Sequence, residues 1–365
     1  MSDSLAFGRF FLPGPTEVDP DVLRAQTRAM IGHRGPDIVE LMKSIEPGLQ
    51  DLFQTSRPVI VSTSSASGLM EAAIRNGVLG GKVLSLVNGA FSSRFAKIAE
   101  ACGRDVELWE VEWGSVHPAD EVDDRLRSAD YDAVTLSQSE TSTGALQDLE
   151  SIAGVVGRYE GTLLLVDSVT GIGGAETHTD EWGPDFILTG SQKAVALPPG
   201  LAFGVASEAL MERSAQATHK GWYFDLVELM ALGVKYQSPA TPAVSLLYAL
   251  QAQLERIARE GMGARWKRHL AMQNRTFEWV REMNDAGIDV GTFAAEGNRS
   301  PTVTCITMPG GEGAPEVVSR VRDAGWVIGG GYGKISDATF RIGHMGDHTV
   351  EELNALLDVV AGALT

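Results

Sequence analysis

The sequence is poor in cysteine: Cys102 and Cys305 are the two in 365 residues. They are far apart, form no CxxC pair and have no Cys/His spacing that would cage zinc, which excludes a disulfide-stapled module and a zinc-built fold. A reducing, cytoplasmic location is the expectation. Basic charge is scarce as well, with 30 Lys and Arg against 48 Asp and Glu and a net charge of −18. Such a field repels phosphate backbones and anionic headgroups, so neither nucleic acid nor membrane is an expected partner. No apolar stretch approaches the ~18 residues needed to span a bilayer, and the first residues carry Asp3 where a signal peptide has a basic segment. Low-complexity tracts, charge blocks and repeats of solenoid period are missing too.

What is present is enough apolar material for a large core. Hydrophobic residues make up 44% and charged residues 21%, the balance of a globular chain rather than a disordered one. At this length two domains are expected. From about residue 59 to 206 a short apolar run, a loop of small polar residues and an amphipathic segment recur. The runs are Val59-Ile-Val-Ser62, Val83-Leu-Ser-Leu-Val87, Ala133-Val-Thr-Leu-Ser137, Thr162-Leu-Leu-Leu-Val166 and Phe186-Ile-Leu-Thr189. Each reads as apolar on both faces, as a central parallel strand requires, and ligand groups are expected just after them. A long helical pattern from Ala243 to Trp279, broken at Gly261 and Gly263, leads into a smaller α/β unit. Its pieces are Val303 to Thr307, a helix from Glu316 to Ala324, Trp326 to Ile328, Thr339 to Ile342 and a closing helix from Val350 to Leu364.

Of eight lysines, Lys193 alone follows a buried run directly, and the rigid Pro198-Pro-Gly200 turn comes soon after it. An ammonium at an apolar cleft edge loses basicity and can act as a Schiff-base amine; a solvated loop lysine is the plainer alternative. Asp167 ends Thr162-Leu-Leu-Leu-Val. A carboxylate there needs a cation, such as a protonated pyridine nitrogen, unless it merely caps the next segment through the Ser168 and Thr170 amides. In Ser62-Thr-Ser-Ser-Ala-Ser-Gly68, small residues before a helix make a cup for a phosphate, or else an ordinary serine-rich helix start.

The order of these pieces, together with Val166-Asp-Ser-Val-Thr-Gly171, Gly190-Ser-Gln-Lys193, Leu12-Pro-Gly-Pro-Thr16 and Phe340-Arg-Ile-Gly-His-Met-Gly346, resembles the class V pyridoxal-phosphate aminotransferases of fold type I, in the alanine–glyoxylate and serine–pyruvate branch. The resemblance implies an α/β fold. A large domain would hold a mostly parallel seven-stranded sheet sandwiched by helices, followed by a smaller C-terminal α/β domain. The corresponding spans are an arm at 1–17, a cofactor-binding domain at 18–255 and a small domain at 256–365. It also implies pyridoxal 5′-phosphate, bonded through Lys193, with Asp167 keeping its ring nitrogen protonated. Ser65, Ala66 and Ser67 match the phosphate loop, with Ala66 standing where glycine is usual, and Gln192 adds a donor beside the lysine. Phe91 falls where an aromatic stacks on the cofactor, and Ser142, flanked by Thr141 and Thr143, falls where a hydroxyl meets its phenolic oxygen. Arg341 matches the arginine that grips the substrate carboxylate, while His33 and Arg34 lie in a segment that lines the substrate mouth. Thr241 matches a threonine that reaches the neighbouring subunit's phosphate in a homodimer. A tyrosine often stands three residues earlier; here that position is Ser238, with Tyr236 nearby.

The expected reaction is ping-pong transfer of an amino group between alanine or serine and glyoxylate or pyruvate. No second basic cluster is evident beside Arg341, which favours a short substrate. Phosphoserine is the alternative donor, with His33 and Arg34 on its phosphate. A class V lyase would need a mobile cysteine, and Cys102 and Cys305 lie in a helix and a strand. A cofactor-binding regulator would be expected to lack Lys193 or Arg341, and a nucleotide-binding protein would carry GxGxxG or Walker spacing, which is absent.

Overall fold

The structure is a computed structural model that describes residues 7–365; residues 1–6 of the expected arm lie outside the described residues. The strands are β1 (Phe10–Phe11), β2 (Ile60–Ser62), β3 (Lys82–Val87), β4 (Asp105–Glu110), β5 (Ala133–Ser137), β6 (Ser139–Glu140), β7 (Ala145–Leu146), β8 (Leu163–Asp167), β9 (Phe186–Gly190), β10 (Ala202–Ala206), β11 (Gly291–Thr292), β12 (Thr304–Thr307), β13 (Val327–Gly330) and β14 (Thr339–Ile342). Seven of them form the large sheet in the order β2-β10-β9-β8-β5-β3-β4. The pairs β4–β3, β3–β5, β5–β8 and β8–β9 are parallel; β10 alone is reversed, pairing antiparallel with both β9 and β2. The C-terminal ends of β2, β3, β5, β8 and β9 therefore share one edge.

Alternation along the strands feeds two cores. Leu164 and Val166 of β8 join the core that holds helices Pro36–Phe53, Leu149–Val156 and Val244–Glu260, while Leu163 and Leu165 join the core of helices Ala66–Gly77 and Glu208–Gln216. Because both faces are covered, the central strands carry uninterrupted apolar runs. The run from Val59 departs from that expectation. It yields the three-residue edge strand β2, whose only paired strand among the described residues is β10 and whose Val61 is half-buried.

A second sheet, β1-β13-β14-β12-β11, packs its own core around Trp279, Phe340 and the helix Val350–Leu364. Phe10–Phe11 runs parallel to β13, so the N-terminal arm joins the C-terminal sheet. The helical bridge divides at Gly261, with φ +78, into Val244–Glu260 and Met262–Asp285; the expected boundary at 255/256 falls inside the first of these helices.

Candidate active site

The edge where the parallel strands end collects the chemistry. Asp167 is the last residue of β8 and lies opposite Ser137, the last residue of β5. It is 4% exposed, and its bonds come from neutral donors: Ser137 Oγ at 3.0 Å and the Val169 amide at 2.9 Å. Burial outweighs those bonds and raises its carboxyl to about 6. A buried carboxylate met only by neutral donors is what a protonated ring nitrogen would complete, so the residue fits pyridoxal phosphate.

Lys193 follows β9 in a tight turn. The Ala196 amide donates to the Lys193 carbonyl and the Leu197 amide to the Ser191 carbonyl, while Ala196 is held at φ +57, a costly conformation for a residue with a Cβ. The lysine is 7% exposed and donates through Nζ to the Pro13 carbonyl. Burial first, and the Arg341 charge second, lower its ammonium to about 7, with Asp167 opposing. Near neutral pH the amine is thus partly unprotonated and nucleophilic. The arm presses on it from above: Gly14, at φ +104, has no room for a Cβ beside Lys193 Nζ. The Thr16 amide also donates to the Gln192 carbonyl at 2.9 Å.

The loop after β2 runs into helix Ala66–Gly77. Ser65 is its N-cap, yet the Ser65 side chain makes no capping bond, and the Ala66 and Ser67 amides are the first two of the helix, which lack intrahelical acceptors. Ala66 has a negative φ, so its methyl is accommodated without backbone strain. This is a helix end suited to a phosphate.

Phe91, the second residue of helix Ala90–Ala101, places its ring centroid 5.8 Å from Lys193 Nζ and 5.3 Å from the Tyr332 ring. Ser142 is fully buried, and its hydroxyl is already engaged: it donates to Glu140 at 2.6 Å and accepts from the Ala90 amide at 3.0 Å. The Thr141 hydroxyl meets Thr170 at 2.5 Å, and the Thr141 carbonyl accepts from Arg341 Nη1 at 3.2 Å. Arg341, on β14 and 8% exposed, gives its other bond to the Gly330 carbonyl at 2.8 Å. Both acceptors are neutral, and burial pulls its guanidinium below the usual range.

Other residues singled out in the sequence lie elsewhere. Arg34 is exposed and donates to the Ser238 and Pro239 carbonyls at 2.7 and 3.1 Å, which holds it, with neighbouring His33, at the 236–242 loop. Thr241 is exposed and lines a groove of about 650 Å³ together with Thr63, Val61, Met42 and Tyr223. Ser238 Oγ is spent on the Ala240 carbonyl, and the Tyr236 phenol is pushed up by its bond to Glu46. His344 is buried, with both ring nitrogens bonded, to Thr304 and the Pro301 carbonyl, and is pushed down to about 4.

Two site residues escaped the sequence reading. Glu140 is fully buried among the Phe91 and Ser142 groups; its only local sign was an acid in a stretch of small hydroxyl residues. The second is Arg94, a single cation rather than a basic cluster. Its guanidinium lies 4.7 Å from the Phe91 ring and donates to Tyr332 Oη at 3.3 Å, and the Tyr332 ring in turn lies 5.4 Å from Arg341. Arg94 and Tyr332 are distant in sequence, so no local pattern signals the pair.

The family model of class-V aminotransferases matches residues 21–329. An uncharacterized aminotransferase of Methanocaldococcus jannaschii is 37% identical, over 97% of this chain and 91% of that protein. The L-aspartate–glyoxylate aminotransferase of Paracoccus denitrificans is 32% identical, over 93% and 86%. Among solved structures, the alanine–glyoxylate aminotransferase from Nostoc sp. superposes with a TM-score of 0.91 at 30% identity, covering 100% of this chain and 98% of that one.

Proposed function

The chain belongs to the class V aminotransferases, enzymes that work with pyridoxal 5′-phosphate, and on that premise we propose that it moves an amino group between alanine or serine and glyoxylate or pyruvate. The observation that carries this reading is the buried pair Asp167 and Lys193 with Arg341 beside them, a guanidinium whose hydrogen-bond partners are both neutral carbonyls.

In this reading Lys193 bonds the cofactor and carries a proton to and from the reacting carbon, a task suited to an amine titrating near 7. Asp167 holds the ring nitrogen in its charged form. The bound cofactor supplies an electron sink for the carbon that loses its proton. Ser65, Ala66 and Ser67 would hold the phosphate end, Gln192 would add a donor beside the lysine, Phe91 would stack on the ring, and Ser142 would stand near the phenolic oxygen. Arg341 takes the substrate carboxylate in a planar fork, which serves an amino acid and a 2-oxo acid alike. The tight seat of Lys193 under Gly14 and Pro13 keeps bulk water from the amine.

The homodimer belongs to the same proposal. Thr241 reaches the neighbouring subunit's phosphate, and His33 and Arg34 belong to a segment that lines the substrate mouth; the exposed Thr241 and its largely apolar groove support the dimer. The domain division at 255/256 is likewise our reading, supported by two separate cores. A cytoplasmic location is supported by two free thiols; among the described residues no helix is long and apolar enough to cross a membrane.

A second reading concerns the donor. Arg94, beside Tyr332 and Phe91, offers a cation to a side-chain carboxylate, which favours aspartate, the donor named for the Paracoccus relative. A lyase that passes sulfur to a cysteine is disfavoured, since burial holds the Cys305 thiol up at about 11. The test is to load the protein with pyridoxal phosphate and follow its visible absorbance while adding alanine, serine, aspartate and phosphoserine in turn. Rapid bleaching by alanine or serine supports the first reading; bleaching by aspartate alone supports the second. Bleaching by phosphoserine alone, or by none of the four, refutes both.

A further inference from the structure

Helix Ala90–Ala101 begins without a cap of its own. Its N-cap is Gly89, which has no side chain to offer, so the first three amides need acceptors from elsewhere. Two residues far along the chain provide them. Glu140 accepts from the Phe91 amide at 3.1 Å and the Ser92 amide at 2.9 Å, and Ser142 Oγ accepts from the Ala90 amide at 3.0 Å. Glu140 also takes the Ser92 hydroxyl at 3.0 Å, the Ser142 hydroxyl at 2.6 Å and the Ser142 amide at 3.1 Å. The glycine follows from this: a Cβ on Gly89 would occupy the space of the Glu140 side chain. At φ 177 its backbone makes no demand for glycine, so the demand is one of volume.

We propose that Glu140 is a positioning residue, whose carboxylate clamps the first turn of helix Ala90–Ala101 to the Glu140–Ser142 turn and thereby sets the plane of the Phe91 ring. The inference rests on the reading of Phe91 as the stacking ring. An ionised carboxylate is the group for this place because all five facing groups donate, and it has two oxygens with lone pairs for them. A glutamine could satisfy one side only, since its amide nitrogen would confront either the Ser92 or the Ser142 donors. The positive end of the helix further favours a full negative charge. Leaving so polar a group fully buried is otherwise costly, and its complete satisfaction is what makes the clamp rigid.

The experiment uses the full chain and Glu140→Gln. In the cofactor-free protein, hydrogen–deuterium exchange at the Phe91 and Ser92 amides should quicken by about ten-fold or more, the size of one lost charge-assisted bond, while the remaining strands keep their protection. The equilibrium dissociation constant for pyridoxal phosphate should rise by a similar factor, about ten-fold. In a Phe91→Leu background the same substitution should change that constant little, because the ring through which Glu140 acts is gone. Unchanged exchange at Phe91 and Ser92, or an equal loss of affinity in both backgrounds, overturns the proposal. If Glu140→Gln does not fold, Glu140→Asp, which keeps the charge but is one methylene short, undergoes the same measurements against the same outcomes. A wild-type protein that binds no pyridoxal phosphate would sink the reading of Phe91 and the cofactor-facing part of this proposal, while the exchange rates would still judge the clamp.

Discussion

Replacing Asp167 by asparagine should make the cofactor-free protein more stable while abolishing its use of the cofactor. The carboxyl, normally near 3.8, is raised to about 6 by burial. Each pH unit of that displacement is worth about 1.4 kcal/mol, so the ionised group costs the folded, cofactor-free protein on the order of 3 kcal/mol. The sign follows from proton binding. Between the ordinary and the raised value the folded chain holds a proton that the unfolded chain has released, so stability is lost as pH rises through about 4 to 6 and the full cost stands above it. Asparagine is the neutral isostere and keeps an acceptor for the Val169 amide. Thermal melts of cofactor-free wild type and Asp167→Asn should therefore differ most at pH 8. At pH 5 the advantage should fall to about half, by the same linkage relation. Adding pyridoxal phosphate should reverse the ranking, since only the wild type offers a charge to the ring nitrogen. A variant that melts no higher than wild type at pH 8, or a gain independent of pH, would refute the account of Asp167 as a carboxylate awaiting a cation.

Three further outcomes are expected. With the Lys193 amine titrating near 7, the rate at which the cofactor-free protein is loaded by pyridoxal phosphate should rise from pH 6 to 8 and level off above; a continued rise toward pH 10 would mean an ordinary lysine. Arg341→Leu should raise KM for the amino donor by about a hundred-fold or more, through loss of a buried charge-assisted pair, with a smaller fall in kcat; an unchanged KM would remove Arg341 from the substrate site. Gly14→Ala forces a Cβ onto Lys193 Nζ at φ +104, and should diminish the bound-cofactor absorbance while far-UV circular dichroism stays unaltered. Full absorbance in that variant would show that the arm does not seat the lysine.

The parts that could be read along the chain share a property: their environment is imprinted on consecutive residues. β5, β8 and β9 are covered on both faces, so they appear as unbroken apolar runs, and a charged residue at the end of such a run, Asp167 or Lys193, is conspicuous because burial there is costly. β4 escaped for the complementary reason. As an edge strand it mixes acids with apolar residues in Asp105-Val-Glu-Leu-Trp-Glu110 and reads like a polar connection. β10 escaped because it is short, contains Gly204, and runs against its neighbours in a direction that no local pattern encodes.

By itself, then, the sequence determined the α/β alternation, the lysine and aspartate at the ends of buried strands, and the arginine on the late strand. Only the tertiary structure decided that Glu140 caps a helix that begins some fifty residues before it, that Arg94 meets Tyr332 and adds a second cation to the site, that the arm's Gly14 lies on Lys193, and that Arg34 is held by the 236–242 loop. The physical reason is range. Periodicity and burial are written in neighbouring residues, whereas a hydrogen bond or a charge contact across the fold depends on where two distant segments meet, and that is set by the packing of the whole chain.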